Sequence, residues 1–353
     1  MKIVVLAGGI STERDVSLSS GSEIYKALKR KGHQVILVDL FLGLPGVHGH
    51  LEELFDSEID WAASIRGVSE KAPDLYEVKA RRPGYRSILG PNVLELCSLC
   101  DIVFLGLHGE GGEDGRIQAL FDLYGIRYTG TGHASSALCM DKSITKEMFR
   151  CYHVPTPAGI TVRSEEELIL PEDFTYPCMV KTCCGGSSVG VYRVENEDEL
   201  HVALKEAFTY EDHVIIEKCI IGREFSIAVV EGKALPVIEI APLTGFYDYK
   251  NKYQAGSTIE TCPADLPPEV TKRMQQHAEE ACAAVSIQSY ARVDFMLDTV
   301  TMEDYALEVN TLPGMTPTSL MPQEAQAIGY SFPQLCEWIL NVSMKKYANT
   351  ERN

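Results

Sequence analysis

No apolar run in the chain approaches the ~20 residues that a membrane-spanning helix needs, and the opening "MKIVVLAGG" has no secretory cleavage pattern. Both absences point to the cytoplasm. Positive charge is also scarce: 32 Lys and Arg stand against 50 Asp and Glu, for a net charge of −18. A polyanionic partner wants a basic surface, so nucleic acid is excluded as a general partner. A small anion held by a few local lysines and arginines is not excluded. Paired cysteines are almost lacking. Of 11 cysteines only Cys97 and Cys100 form a C-x-x-C, with no second pair at zinc-ribbon spacing. An odd count without a secretory signal reads as reduced, mostly buried thiols rather than a disulfide framework. Nothing matches G-x-x-x-x-G-K-[ST] followed by a helix, and "GEGGEDG" misses G-x-G-x-x-G by one residue. Internal repeats and low-complexity tracts are absent.

What remains is a chain of 353 residues, 45% apolar, enough for two or three domains with real cores. The first part alternates. Lys2–Ala7, Gln34–Leu40 and Asp101–Leu107 read as buried strands. Ser19–Arg30 and "RIQALFDLYG" read as helices, so a parallel α/β sheet is expected. Phe41–Pro91 is irregular and rich in Gly and Pro, and reads as a surface excursion. From Asp141 onward the pattern changes to α+β with antiparallel hairpins. A helix at "DKSITKEMFRC" is followed by strands near Pro177–Lys181, Ser188–Val194, His213–Lys218, Glu224–Val230 and Ala234–Ala241. Glu197–Phe208 is a helix between them. Pro267–Val285 is an amphipathic helix with Val270, Met274, Ala278, Ala281 and Val285 on one side, and a C-terminal helix starts near Ser331.

The sharpest chemical signal is "ARVDFML" followed by "YALEVNT". Period-two alternation puts Arg292, Asp294 and Met296 on one strand face, and Glu308 and Asn310 on one face of the next. The link between them is short and polar, so a hairpin centred near Thr301 pairs Asp294 with Glu308 and Arg292 with Asn310. Two facing carboxylates repel. A cation resolves that repulsion in one of two ways. Asp294, Glu308 and Asn310 are hard oxygen ligands that suit Mg²⁺ or Mn²⁺ shared with phosphates. Alternatively, the face is merely solvated and Arg292 neutralises the acids.

"VKTCCGGSSVG", Val180–Gly190, has the form of a strand, a small-residue loop and a strand. Such a hairpin can lie over a phosphate with backbone N–H and hydroxyl donors, or be a bare turn. "GGISTERDVSL" and "LHGEGGEDG" put Glu13 and His108 just after buried strands, where α/β sheets bind ligands. "NTLPGMTPTSL" places Gly314 in a proline-rich turn ahead of Ser319. "FYDYKNKYQAGS", Phe246–Ser257, is aromatic and basic and reads as a closing lid or an ordinary loop.

Taken in order, "GGISTERDVSL", "LHGEGGEDG", "MDK", "GGSSVG", "IEKCIIGREF", "FYDYKNKY", "RVDFML" and "LEVNTLPGMTPTSL" make the chain resemble the D-alanine–D-alanine ligases of the ATP-grasp superfamily, from Met1 to about Trp338. The resemblance implies an N-terminal parallel-sheet pre-ATP-grasp domain at 1–130, with the irregular insertion at about 41–91. A two-lobed ATP-grasp fold follows, its central lobe at 131–217 and its C-terminal lobe at 218–353. It implies ATP-dependent joining of two D-alanines through a D-alanyl phosphate, for peptidoglycan precursors, by a cytoplasmic homodimer. The roles it carries over are specific. Lys142 and Lys181 would hold phosphates, and Lys252 would reach the γ-phosphate. Glu217 and Glu224 would bind the adenine amine and the ribose, with Lys218, Cys219 and Ile220 lining the base pocket. Asp294, Glu308 and Asn310 would carry two Mg²⁺ or Mn²⁺ ions. Arg292 and the Gly314 amide would stabilise the oxyanion. Glu13 would hold the first ammonium with His108 near its carboxylate, and Ser319 and Leu320 would bound the second site. Glu13, Ser187 and Tyr253 would latch the lid.

Two departures stand out. Thr182, Cys183 and Cys184 follow Lys181 where the family usually has proline, and Cys219 replaces a common large aromatic. They bear on how tightly ATP is held, and oxidation at Cys183 or Cys184 would be one way to block it. Tyr253 and Leu320 together favour D-alanine in the second site over D-lactate or D-serine. The alternatives are a sister carboxylate–amine or D-Ala-D-Ser/D-lactate ligase, a nucleotide-binding regulator without catalysis, and a redox or metal protein built on the cysteines.

Overall fold

The computed structural model describes residues 1–65, 67, 73–163, 168–172, 174–186, 189–242 and 258–348. Ser187, Lys252, Tyr253 and the rest of the segment 243–257 lie outside them. The chain opens with β1 (Lys2–Ala7), α1 (Arg14–Arg30) and β2 (Gln34–Asp39), then α2 (Leu75–Ala80), α3 (Val93–Leu99), β3 (Ile102–Leu105) and α4 (Arg116–Tyr124). β1 pairs in parallel with both neighbours, in the order β2-β1-β3. Ile3 to Ala7 and Ile102 to Leu105 are all buried, as a parallel strand covered on both faces requires. Val4, Leu6 and Val103 pack on one side with Leu96 and Phe121, from α3 and α4. Ile3, Val5 and Phe104 pack on the other with Ile24 and Leu28 of α1.

The segment 41–91 corrects the expectation of a surface excursion. Phe55 belongs to the first of these cores and Ala62 to the second, and Phe41 is fully buried beneath the Arg82 guanidinium, 4.7 Å from its ring centre. Glycine and proline here signal short elements, such as α2, joined by turns, and not a lack of anchors.

α5 (His133–Met140) and α6 (Lys142–Cys151) lead into β4 (Gly159–Val162), β5 (Cys178–Thr182), β6 (Val191–Val194), α7 (Glu197–Ala207) and β7 (Val214–Lys218). These strands form an antiparallel sheet ordered β4-β7-β5-β6. Cys178 and Val180 of β5 turn inward onto Leu200, Leu204 and Ala207 of α7. The intervening Met179 and Lys181 therefore face the opposite side, which is the side of the site.

The last part contains β8 (Gly222–Val230), β9 (Lys233–Ala234), β10 (Ile238–Pro242), β11 (Thr258–Thr261), α8 (Pro268–Ala284), β12 (Tyr290–Asp298), β13 (Asp304–Asn310), α9 (Leu320–Ala327) and α10 (Phe332–Lys345). Its sheet runs β11-β10-β8-β12-β13, with β9 paired to β8. Val270, Met274, Ala278 and Ala281 of α8 cover Phe225, Ile227, Val293 and Phe295. That burial turns Arg292, Asp294 and Met296 to the other face. Leu335, Cys336, Ile339 and Leu340 of α10 return to the core of the first sheet, tying chain end to chain start. Among the described residues no helix is long and apolar enough to cross a membrane.

Candidate active site

Two cavities, of about 330 and 490 Å³, lie side by side, and Lys142, Gly185, Gly186 and Glu308 line both. The first is built on the loops after β1 and β3. Glu13 stands at the N-cap position of α1, and its carboxylate, which makes no capping bond, lies between the two glycine-rich loops. A Cβ built on Gly109 or on Gly186 would come within 3.0 Å of Glu13 Oε2. Gly109 N–H donates to Glu113 at 2.6 Å. Burial, reinforced by Glu13, pushes Glu113 up to about 8. His108 is buried with its Nε2 3.3 Å from Ser20 Oγ. Burial lowers its pKa, with Arg292 acting in the same direction and Glu13 against it. The far wall holds Gly314, Ser319 and Leu320. A Cβ on Gly314 would lie 3.0 Å from Ser319 Oγ, which accepts from Thr316 N–H at 3.1 Å. Leu320 is buried against Ile238 and Ile240.

The hairpin β12–β13 forms the floor shared by the two cavities. Its register pairs Arg292 with Asn310 and Asp294 with Glu308, as the alternation predicts. A bulge directly after Asp294 then shifts Phe295 onto Ala306. Asp294 receives the Arg292 guanidinium through two bonds, at 2.9 and 2.7 Å, the Asn310 amide at 3.0 Å and Ser226 Oγ at 2.7 Å. Glu308 is 3.3 Å from Lys142 Nζ. Each of the opposed acids thus already has a cation beside it, Arg292 at Asp294 and Lys142 at Glu308, and the ligand atoms that the acids offer a metal are oxygens.

The second cavity has a cationic side and an apolar side. Lys142 Nζ donates to Gly185 O at 2.6 Å, at the base of the glycine-rich loop. Glu217 is 1% exposed, with Lys181 and Lys146 each 2.6 Å from one of its two oxygens. Burial alone would raise the Glu217 pKa, but the two ammonium groups overcome it and hold the carboxyl at about 2. At Lys181 the pull of Glu217 outweighs burial and raises the pKa, whereas at Lys146 burial wins and lowers it. The resemblance gives Glu217 to an adenine amine, yet here both its oxygens face lysines. Met179, Ile220, Met296 and Leu307 supply the apolar wall, and Lys218, Cys219 and Glu224 line the same space.

Every candidate residue within the described segments therefore lines one of the two cavities; Ser187, Lys252 and Tyr253 fall outside those segments. Lys146 has no place in the sequence reading. The signal available was its position one helical turn after Lys142, on the same face of α6.

Family models for the D-ala D-ala ligase N-terminus and C-terminus match residues 2–131 and 155–341. The chain belongs to the D-alanine–D-alanine ligase family. Among D-alanine–D-alanine ligases, that of Pediococcus pentosaceus is 42% identical over 352 residues, covering 98% of this chain and 99% of the relative. That of Lacticaseibacillus casei is 40% identical over 351 residues, with 99% and 97% covered. The solved D-alanine–D-alanine ligase of Bacillus anthracis, complexed with ATP, matches with a TM-score of 0.74 at 30% identity, over 99% of each chain. The architecture is accordingly the ATP-grasp fold of these ligases, a parallel N-terminal sheet followed by two antiparallel ones.

Proposed function

We propose that the chain is an ATP-dependent D-alanine–D-alanine ligase whose chemistry takes place where the two cavities meet. That meeting at Lys142, Gly185, Gly186 and Glu308 is the observation that carries the reading. It puts a cationic, glycine-lined space of nucleotide size against a small polar space with an acid, a neutral imidazole and an arginine.

The nucleotide lies along the Met179, Ile220, Met296 and Leu307 wall, with Glu224 at the ribose. Lys142 and Lys181 meet the phosphates. Glu217 acts here through Lys181, which it holds in place. Asp294, Glu308 and Asn310 fit Mg²⁺ or Mn²⁺, because all three offer hard oxygens on one face of adjacent strands. Metal held there would supply positive charge to offset the negative charge that develops in phosphoryl transfer. Glu13 holds the ammonium of the first D-alanine and His108 lies by its carboxylate. One carboxylate oxygen attacks the γ-phosphorus, ADP leaves, and D-alanyl phosphate forms. The amine of the second D-alanine, bounded by Ser319 and Leu320, attacks the acyl carbon. Arg292 and the Gly314 amide hold the resulting oxyanion, which collapses to the dipeptide and expels phosphate. Lys252 reaches the γ-phosphate, and Glu13, Ser187 and Tyr253 latch the lid, which keeps water from the acyl phosphate. A division into units at 1–130, 131–217 and 218–353, and a cytoplasmic homodimer for peptidoglycan precursors, belong to the same reading on family resemblance alone.

The test is phosphate release by purified protein with ATP and Mg²⁺, offered D-alanine, L-alanine, or D-alanine with D-serine or D-lactate, with products weighed by mass spectrometry. Release with D-alanine alone, giving the dipeptide, is the expected result. Release only with a mixed pair overturns the assignment of the second site. No release with any pair overturns the function.

A further inference from the structure

Outside both cavities, three side chains with the chemistry of metal ligands converge from three elements. Asp141 caps α6, its Oδ1 accepting from the Ser143 and Ile144 amides at 2.8 and 3.2 Å. The cap occupies Oδ1 and leaves Oδ2, which lies 3.2 Å from Nε2 of His213, the residue before β7. Nδ1 of that ring is in turn 2.6 Å from Asp212 Oδ1. Cys183, directly after β5, is buried beside them. One ligand atom from each of Asp141, Cys183 and His213 lies within 4.8 Å of the other two.

We propose that Asp141, Cys183 and His213 bind a zinc-class divalent ion, with water in the fourth position. With tetrahedral bonds of ~2.0 Å to N and O and ~2.3 Å to S, the ligand atoms would stand about 3.3–3.5 Å apart. The aspartate–histidine separation is already there at 3.2 Å, and the thiol, within 4.8 Å of both, needs at most a small side-chain shift. Thiolate and imidazole select zinc over magnesium, so the site is chemically distinct from the oxygen-only set on the hairpin. Asp212 supplies the outer carboxylate that orients a ligating imidazole. The ion would tie the start of α6 to the end of β5, a junction already closed by the Lys142 amide donating to Cys183 O at 2.9 Å. It would thus clamp the base of the glycine-rich loop, and the unusual cysteine after the Lys181 strand would have a role there.

The test uses the full chain with Mg²⁺ in excess, so that the hairpin oxygens are saturated. Zn²⁺ is titrated in competition with a chromophoric chelator, and Co²⁺ is added separately to read its spectrum. The expected result is one ion per chain, with a thiolate-to-cobalt charge-transfer band. Cys183→Ser abolishes that band. Asp212→Asn weakens binding by about 10–100-fold, the usual effect of losing an outer partner, and His213→Gln weakens it further. Because Asp212 and His213 are surface or half-buried side chains, these two variants decide the matter even if Cys183→Ser does not fold. The proposal is overturned by no stoichiometric binding, by tight binding without the band, or by a band that survives Cys183→Ser and disappears in Cys184→Ser.

Discussion

Replacing Glu217 by glutamine removes one negative charge from between two ammonium groups, in a position 1% exposed. Lys146 has few other partners: Thr156 Oγ1 at 2.7 Å and Pro157 O at 3.4 Å. Breaking a buried ion pair by removing one partner typically costs about 3–5 kcal/mol. The Glu217 pKa gives a separate figure. A shift from 4.5 to about 2 corresponds to about 3 kcal/mol at neutral pH. Lys146 already has its pKa lowered by burial and can release its proton in the variant, so the lower end of the range applies, about 3 kcal/mol. The pH dependence carries the decisive sign. A depressed carboxyl pKa stabilises the fold above 4.5, and that contribution is lost as pH falls through about 2. The gap between wild type and Glu217→Gln, read from urea midpoints, should therefore narrow by about 2 kcal/mol between about pH 5 and about pH 3. ATP affinity should fall as well, since Lys181 loses its anchor. A variant destabilised by less than about 1 kcal/mol, or a gap that stays constant with pH, would refute the ion-pair reasoning.

Other perturbations give separate readouts. Gly186→Ala sets a Cβ 3.0 Å from Glu13 Oε2. It should raise KM for D-alanine much more than KM for ATP, in steady-state kinetics with each substrate varied. Asp294→Asn keeps the Ser226 side chain beside it, but should lower Mg²⁺-dependent turnover by roughly a hundredfold or more, several kcal/mol of lost charge stabilisation. Glu113 has its pKa raised by burial and by Glu13, so its contribution to stability is present below 4.5 and is lost as pH rises through about 8. Glu113→Gln should therefore melt higher than wild type near pH 8 and equally near pH 4.5. Burial pushes the Cys183 thiol up to about 12 and the Cys184 thiol to about 11, whereas Cys151 is exposed. Alkylation at neutral pH, mapped by mass spectrometry, should label Cys151 first and leave ATP-dependent activity intact. Early labelling of Cys183 with loss of activity would support redox control instead.

The hairpin register was legible because strand alternation has period two and the polar link at Asp298–Asp304 leaves little freedom in pairing. The bulge after Asp294 was not, since it depends on how Leu307 is accommodated locally. The stripe on α8 was legible from its apolar spacing, and all five of its named residues are buried. The start of α1 differs from the expectation: the helix begins at Arg14, not Ser19, because the charged residues at 13–15 give 14–18 the look of a loop, while Arg14, Val16 and Ser17 are buried. The sequence pattern predicts one strand over Ala234–Ala241, but the segment around Pro236, which lacks a ladder donor, separates β9 from β10. α9 is hidden in the sequence because Pro322 looks like a breaker, although the first turn of a helix tolerates it. Of the site, what the sequence revealed was the residues that face a cavity in fixed motifs. What it hid were partners joined only by folding, such as Lys146 with Glu217, or Asp141 with Cys183 and His213.

The most direct measurement of the central claim uses D-alanine with heavy oxygen in its carboxylate, ATP and Mg²⁺. If D-alanyl phosphate forms where the two cavities meet, each phosphate released carries one heavy oxygen, and D-alanyl-D-alanine appears in equal amount. Released phosphate free of label, or dipeptide formed without phosphate release, would contradict it.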